Sequence, residues 1–178
     1  MKIITAYQEF KDFRNSIESV SFVPTMGNLH NGHMALIDKA KSYDSHVIAS
    51  IFINPLQFND ASDFKNYPKS IDDDIAILSE HGCDSLFIPD SSILEDIKEI
   101  KAQDKALYLC GMNRPGHFDG VLTIVNKLFE IIKPTRSFFG KKDFQQLTLI
   151  TNFVKENNLP IEIISVDTVR ELNGLAMS

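Results

Sequence analysis

Short runs of β-branched and aromatic residues alternate with longer amphipathic stretches along the chain, and this alternation limits the fold more than any other feature. Ser21-Phe22-Val23, His46 to Ile53, Ser85 to Ile88, Ser137-Phe138-Phe139 and Ile161 to Val166 read as strands. Met34 to Tyr43, Ile71 to His81, about Phe118 to Ile132 and about Phe144 to Asn157 read as helices. Strands separated by helices of this length imply parallel crossovers. The runs Val47 to Ile53 and Ile161 to Ile164 are nearly continuously apolar, which suits strands covered by helices on both faces. The expected fold is therefore α/β, a doubly wound parallel sheet. With 178 residues, one domain spanning 1–178 has enough chain to bury a real core. The stretch from about Ser91 to Gln103 gives no clear element.

Charge and composition exclude several functions. Eighteen Lys plus Arg against 24 Asp plus Glu leave a formal charge of −6, which argues against a general nucleic-acid binder, whose affinity comes from neutralising phosphates. Any anion must be met by a local pocket. Cys83 and Cys110 form no disulfide framework and no metal-ligand spacing, so a reducing, cytoplasmic compartment is expected. The N-terminus carries no apolar run suited to a secretory signal, and no stretch approaches the roughly 20 apolar residues of a membrane span.

In doubly wound sheets ligands sit beyond the C-terminal ends of the strands, so the residues there carry the functional signal. The first such segment is Pro24-Thr25-Met26-Gly27-Asn28-Leu29-His30-Asn31-Gly32-His33. Its two histidines, three residues apart where a strand gives way to a helix, can face one ligand. A helix N-terminus offers unpaired N–H groups to phosphate, and glycine at 32 would let a ligand approach the backbone. The imidazoles could donate to oxygens that gain charge during nucleotidyl transfer. A zinc pair, or histidines that only cap and pack, are the competing readings.

The second segment, Gly140-Lys141-Lys142-Asp143-Phe144-Gln145-Gln146, places Lys142, Asp143 and Gln146 on one helical face. A lysine there can hold a phosphate and a glutamine amide can bind a hydroxy acid, or the segment is a solvated helix start. Third, Asn54-Pro55-Leu56-Gln57-Phe58 follows the most apolar strand and could line a polar pocket with Asn54 and Gln57. Two further segments suggest structural roles. His117 or Asp119 could cap the helix after Arg114-Pro115-Gly116, and Asp72-Asp73-Asp74 could cap another and favour its dipole, with a weaker option of magnesium. No protein nucleophile is legible; Cys110 reads as apolar filler.

Five segments in order, Val23 to His33, Ser50 to Phe58, Arg114-Pro115-Gly116-His117-Phe118, Gly140 to Gln146, and Thr168-Val169-Arg170 leading to Gly174-Leu175-Ala176-Met177-Ser178, resemble the pantothenate synthetases, or pantoate:β-alanine ligases. The likeness runs from about residue 2 to 178. It implies a Rossmann-like domain and a two-step ligation. Pantoate carboxylate attacks the α-phosphorus of ATP to give pantoyl adenylate and pyrophosphate, then the amine of β-alanine displaces AMP. It also implies magnesium and a homodimer. Met26 to His33 would form the ATP loop, with His33 as proton donor and His30 beside it. Gly140, Lys141, Lys142 and Asp143 would border the nucleotide, Lys142 as a catalytic cation, with Val169, Met177 and Ser178 also on ATP. Gln57, Gln146 and Asn54 would serve pantoate and β-alanine.

Lys141 and Phe144 depart from the Glu and Tyr common in that family. The family also continues beyond Met177-Ser178 with a phosphate-binding segment and a smaller domain, so slow turnover is expected of residues 1–178 alone. Other HxGH nucleotidylyltransferases share the phosphate logic but lack the two glutamine segments. A non-catalytic nucleotide-binding module is the rival from a different class.

Overall fold

The computed structural model describes residues 1–178, the side chain of Lys105 apart. Six strands, β1 (Lys2–Ile4), β2 (Val20–Thr25), β3 (His46–Ile51), β4 (Ser85–Phe87), β5 (Arg136–Gly140) and β6 (Glu162–Val166), form one sheet in the order β1-β4-β3-β2-β5-β6. Every pairing is parallel. The helices are α1 (Tyr7–Arg14), α2 (Asn31–Lys41), α3 (Ala61–Lys65), α4 (Ile71–Glu80), α5 (His117–Ile132) and α6 (Phe144–Glu156). This is a single α/β domain of Rossmann-like fold.

Alternate residues of each central strand enter different cores. Phe22, Ile48, Phe87 and Phe139 join the core that includes Phe10 of α1 and the apolar residues of α5 and α6. Val23, Ala49, Leu86 and Phe138 join the opposite core with Met34, Ile37 and Leu78 of α2 and α4. Burial on both faces accounts for the continuous apolar run of β3. β6 departs from the sequence expectation: it is an edge strand, partly exposed, with Glu162 and Ser165 open to solvent. β1 and α1, which the sequence reading did not resolve, close the other side. There Arg14 donates to the carbonyls of Ile132 and Lys133, satisfying acceptors at the end of α5.

The chain runs outward from β2 through β3 to β4, then returns to build β5 and β6 on the other side of β2. The direction reverses between β2 and β5, where an open sheet offers a crevice. Pro24 helps to open it. Thr25 accepts from Phe52 N–H on the β3 side at 3.1 Å, so Pro24, one residue earlier, faces β5 with no N–H to give. Pairing of β2 with β3 covers six residue pairs, whereas with β5 it stops at Phe22 and Ser137.

The segment from Ser91 to Gln103 opens with a 3-10 helix (Ser91–Leu94) and continues as a loop laid over the first core, with Ile93 buried and Ile97 and Ile100 packed against it. Thr123 accepts from Ile100 N–H and Asp119 from Ala102 N–H, at 2.9 and 2.8 Å. Asp119 therefore fastens this loop instead of capping α5, whose cap position is Gly116.

Candidate active site

A cleft of about 490 Å³ opens over the C-terminal ends of β2 and β5. Its first wall is the turn from Met26 to His33. Gly27 takes a φ of +82°, and a Cβ there would stand 2.9 Å from the Asp74 carboxylate, so glycine is required on both counts. Asp74 of α4 is 2% exposed, and its two oxygens accept from Asn28 N–H at 2.9 Å and Leu29 N–H at 2.7 Å. Ser70 Oγ donates to the same carboxylate at 3.2 Å. The acidic run thus divides: Asp72 and Asp73 sit in the exposed first turn of α4, while Asp74 turns inward and fixes the loop.

The two histidines bond the backbone of their own turn. His30, the N-cap of α2, accepts from Gly32 N–H through Nδ1 at 3.1 Å, and His33 Nδ1 accepts from His30 N–H at 3.3 Å. A nitrogen that accepts carries no proton, so each neutral ring holds its proton on Nε2. The ring centroids lie 4.2 Å apart. Burial, then the fields of His30 and Lys142, pull the His33 pKa down to about 4 against the attraction of Asp74. Burial and Lys142 lower that of His30 as well, opposed by Glu171. Near neutral pH both rings are uncharged donors.

This alters the sequence expectation for the helix start. Two N–H groups at this helix start, those of His30 and Gly32, are taken by imidazoles, and His33 N–H goes to His30 C=O at 2.8 Å. Gly32 makes room for the His30 ring, because a Cβ there would lie 2.7 Å from His30 Cε1.

The floor comes from Asn54 to Gln57. Asn54, 1% exposed, donates to Gln57 Oε1 at 3.1 Å and Gly120 C=O at 3.0 Å, while Leu56 N–H donates to its Oδ1 at 3.2 Å. Its amide braces the turn and orients Gln57, whose Nε2 reaches Met26 Sδ at 2.9 Å. Gly120 lets α5 approach this turn, since a Cβ there would be 2.2 Å from Leu56 C=O. His117, 6% exposed, donates from Nδ1 to Gln57 C=O at 2.7 Å. It thus braces the floor instead of capping α5.

The far wall carries Gly140, Lys142, Asp143 and Gln146, followed by Val169, Met177 and Ser178. Lys142 Nζ donates to Ser178 Oγ at 2.9 Å. Residues 169–177 form a turn closed by Met177 N–H to Val169 C=O at 3.0 Å and Glu171 N–H to Leu175 C=O at 2.7 Å.

Of the residues singled out from sequence, the cleft gathers Met26, Gly27, Asn28, His30, Gly32, His33, Asn54, Gln57, Gly140, Lys142, Asp143, Gln146, Val169, Met177 and Ser178. Three stand off it. Leu29 packs on the second core, Asn31 is exposed, and Lys141 pairs with Asp167 at 2.6 Å. Asp74 and His117 are what sequence reasoning underrated. Asp74 lies four residues before buried Leu78, so an acid on the apolar stripe was the available sign. The cysteines take no part: Cys83 is buried, with burial pushing its thiol up to about 11, and Cys110 is exposed rather than filler.

Among the described residues no cluster of three His, Cys, Asp or Glu could hold a metal ion. Among the described residues the carboxylates lining the cleft are those of Asp143 and Asp167, and the second is held by Lys141. The residues present do not fit a resident cation. No helix is long and apolar enough to cross a membrane.

Residues 2–178 match the family Pantoate-beta-alanine ligase. The chain is 49% identical over 177 residues to the pantothenate synthetase of Shewanella amazonensis, covering 96% of this chain and 63% of that protein. It is 46% identical to the bifunctional pantoate ligase/cytidylate kinase of Prochlorococcus marinus, covering 99% of this chain and 36% of the relative. A crystal structure of pantoate-beta-alanine ligase from Francisella tularensis, complexed with beta-gamma ATP and beta-alanine, superposes with a TM-score of 0.97 at 43% identity, over 100% of this chain and 71% of that one. Pantothenate synthetase from Thermus thermophilus gives 0.94 at 39%, over 100% and 66%. With both the sequence and the cleft-bearing fold matched from end to end, the chain belongs to the pantoate-beta-alanine ligase family.

Proposed function

We propose that this domain binds ATP and pantoate and activates the pantoate carboxylate as an acyl adenylate, which β-alanine converts to pantothenate. The observation that carries this reading is the convergence of two neutral imidazole donors, the Lys142 ammonium, Gln57 and Gln146 on one cleft at the sheet's switch point. Membership of the ligase family supports it, as does the ATP and β-alanine complex of the Francisella relative. The Nε2–H groups of His30 and His33 donate to phosphate oxygens that gain charge as the α-phosphorus becomes five-coordinate. In this geometry His33 acts as a hydrogen-bond donor, not an acid, because its ring is neutral at working pH. Lys142 neutralises phosphate as a point charge. The two glutamines bind the pantoate hydroxyls and carboxylate. Both nucleophiles are substrates, so the protein supplies position and charge.

Pantoate-dependent isotope exchange between pyrophosphate and ATP tests the reading. Exchange is expected; its absence would leave a nucleotide-binding module. In exchange kinetics Gln57→Leu and Gln146→Leu should weaken pantoate far more than ATP, because a hydroxy acid that loses its amide partners strands polar groups.

Magnesium belongs to this proposal as a companion of the ATP phosphates, since the described residues build no cage for it. A homodimer and a cytoplasmic setting are also proposed. Leu107, Tyr108, Leu109, Met112 and Phe144 are each at least 66% exposed, an apolar surface suited to a second copy, and light scattering measures the mass. The chain spans 63% of the length of the Shewanella relative. Parts of longer relatives beyond the match are proposed to close the cleft; AMP and pantothenate, measured side by side for residues 1–178 and a longer chain, test this.

A further inference from the structure

His117 lies outside the histidine pair at the helix start, yet it lines the same cleft. Its ring has the opposite polarity to His30 and His33. Those rings accept on Nδ1 and present Nε2–H, whereas His117 gives its Nδ1 proton to Gln57 C=O at 2.7 Å. A neutral imidazole that donates from Nδ1 keeps a lone pair on Nε2. No hydrogen bond within the described protein engages that nitrogen, which keeps contact with solvent, and the residue lines the cleft. The ring is held edge-on to Phe118, with centroids 4.9 Å apart, and cannot turn without losing the Gln57 bond.

We infer that His117 is the proton acceptor of the amide-forming step, its Nε2 facing the amine of the incoming β-amino acid. The inference rests on the adenylate-forming reading above. β-Alanine reaches the adenylate as the free amine after its ammonium has released one proton to water. The nitrogen lone pair forms the C–N bond to the acyl carbon. The C–O bond to phosphate breaks, its electron pair leaving on AMP as a phosphate dianion. Nε2 of His117 takes the surplus proton of the new, positively charged nitrogen and passes it to solvent, leaving the neutral amide. Burial first, then Arg114, keeps His117 uncharged before the step, opposed by the Gln57 carbonyl and Asp143. Arg114 also lines the cleft, three residues before His117, and supplies a cation for the amino acid's carboxylate.

The test separates the two half-reactions in the full-length enzyme. Pantoate-dependent pyrophosphate exchange reports adenylate formation; reaction of preformed pantoyl adenylate with β-alanine in a single turnover reports aminolysis. His117→Asn retains an N–H to meet Gln57 C=O but has no basic nitrogen. The ratio of aminolysis to exchange should fall by about 10² in this variant, the usual scale for loss of a positioned base. In His117→Ala, imidazole added to the buffer should restore aminolysis. An unchanged ratio in His117→Asn, or no rescue of an alanine variant that still exchanges, would make His117 a brace for Gln57 and overturn the proposal. Absence of exchange in the unmutated enzyme would instead overturn the functional reading itself.

Discussion

The two walls of the cleft are held in different ways. The wall from Met26 to His33 is fixed from below and within: buried Asp74 takes two of its N–H groups and the imidazoles take two more. The wall from Gly140 to Gln146, with the turn that ends at Ser178, adds to its backbone bonds lysine side-chain contacts that lie in solvent. Lys142 meets Ser178, Lys141 meets Asp167, and Leu172 and Leu175 of the turn are fully or largely exposed. Oriented donors, whose geometry must not shift as charge develops, sit on the rigid wall. The flexible ammonium, which can follow a phosphate, sits on the loose one.

This contrast can be broken by mutation. The largest effect belongs to the rigid wall's chemistry: His33→Ala should lower pyrophosphate exchange by about 10² to 10³ while thermal unfolding stays cooperative. Normal exchange would remove His33 from the mechanism. Lys142→Ala should lower exchange by about 10² and leave the melting temperature unchanged, because its hydrogen bond to Ser178 lies in solvent. A clear loss of stability would show that the second wall is as structural as the first. Asp74→Ala should do both kinds of damage, destabilising the fold by roughly 3 kcal/mol as two N–H groups lose their acceptor, and weakening ATP as the loop loosens. Urea unfolding together with the KM for ATP reads both effects.

Acid should loosen the rigid wall. The His33 pKa falls from 6.5 to about 4 on folding, so the folded state binds fewer protons than the unfolded state between those values. Its stability contribution is complete above about pH 6.5 and is lost as pH falls toward 4. Between pH 7 and 5 the loss is at most about 2 kcal/mol. A His33→Gln variant should show a shallower acid slope in urea unfolding, and an identical slope would assign the loss elsewhere. Smallest of all, Lys141→Ala should leave exchange within about a factor of two, since its partner Asp167 is solvent-exposed and Lys141 does not line the cleft.

Local periodicity in the sequence was enough to find α2, α4, α5 and α6, the central strands and the three loops that meet at the cleft, because helix and strand patterns and glycine or proline punctuation act over a few residues. It was not enough for β1, only three residues long, or for the exposure of β6, which depends on having no neighbour beyond it. The site divides in the same way. The chain near residues 30 and 33 dictated that two histidines would share a helix start, but which nitrogen of each ring carries the proton follows from backbone contacts formed on folding. That Asp74 holds Asn28 across 46 positions, and that His117 holds Gln57 across 60, was decided by tertiary structure alone. Such pairs leave no periodic trace, since each residue is an ordinary polar group until packing removes its water and supplies a single partner.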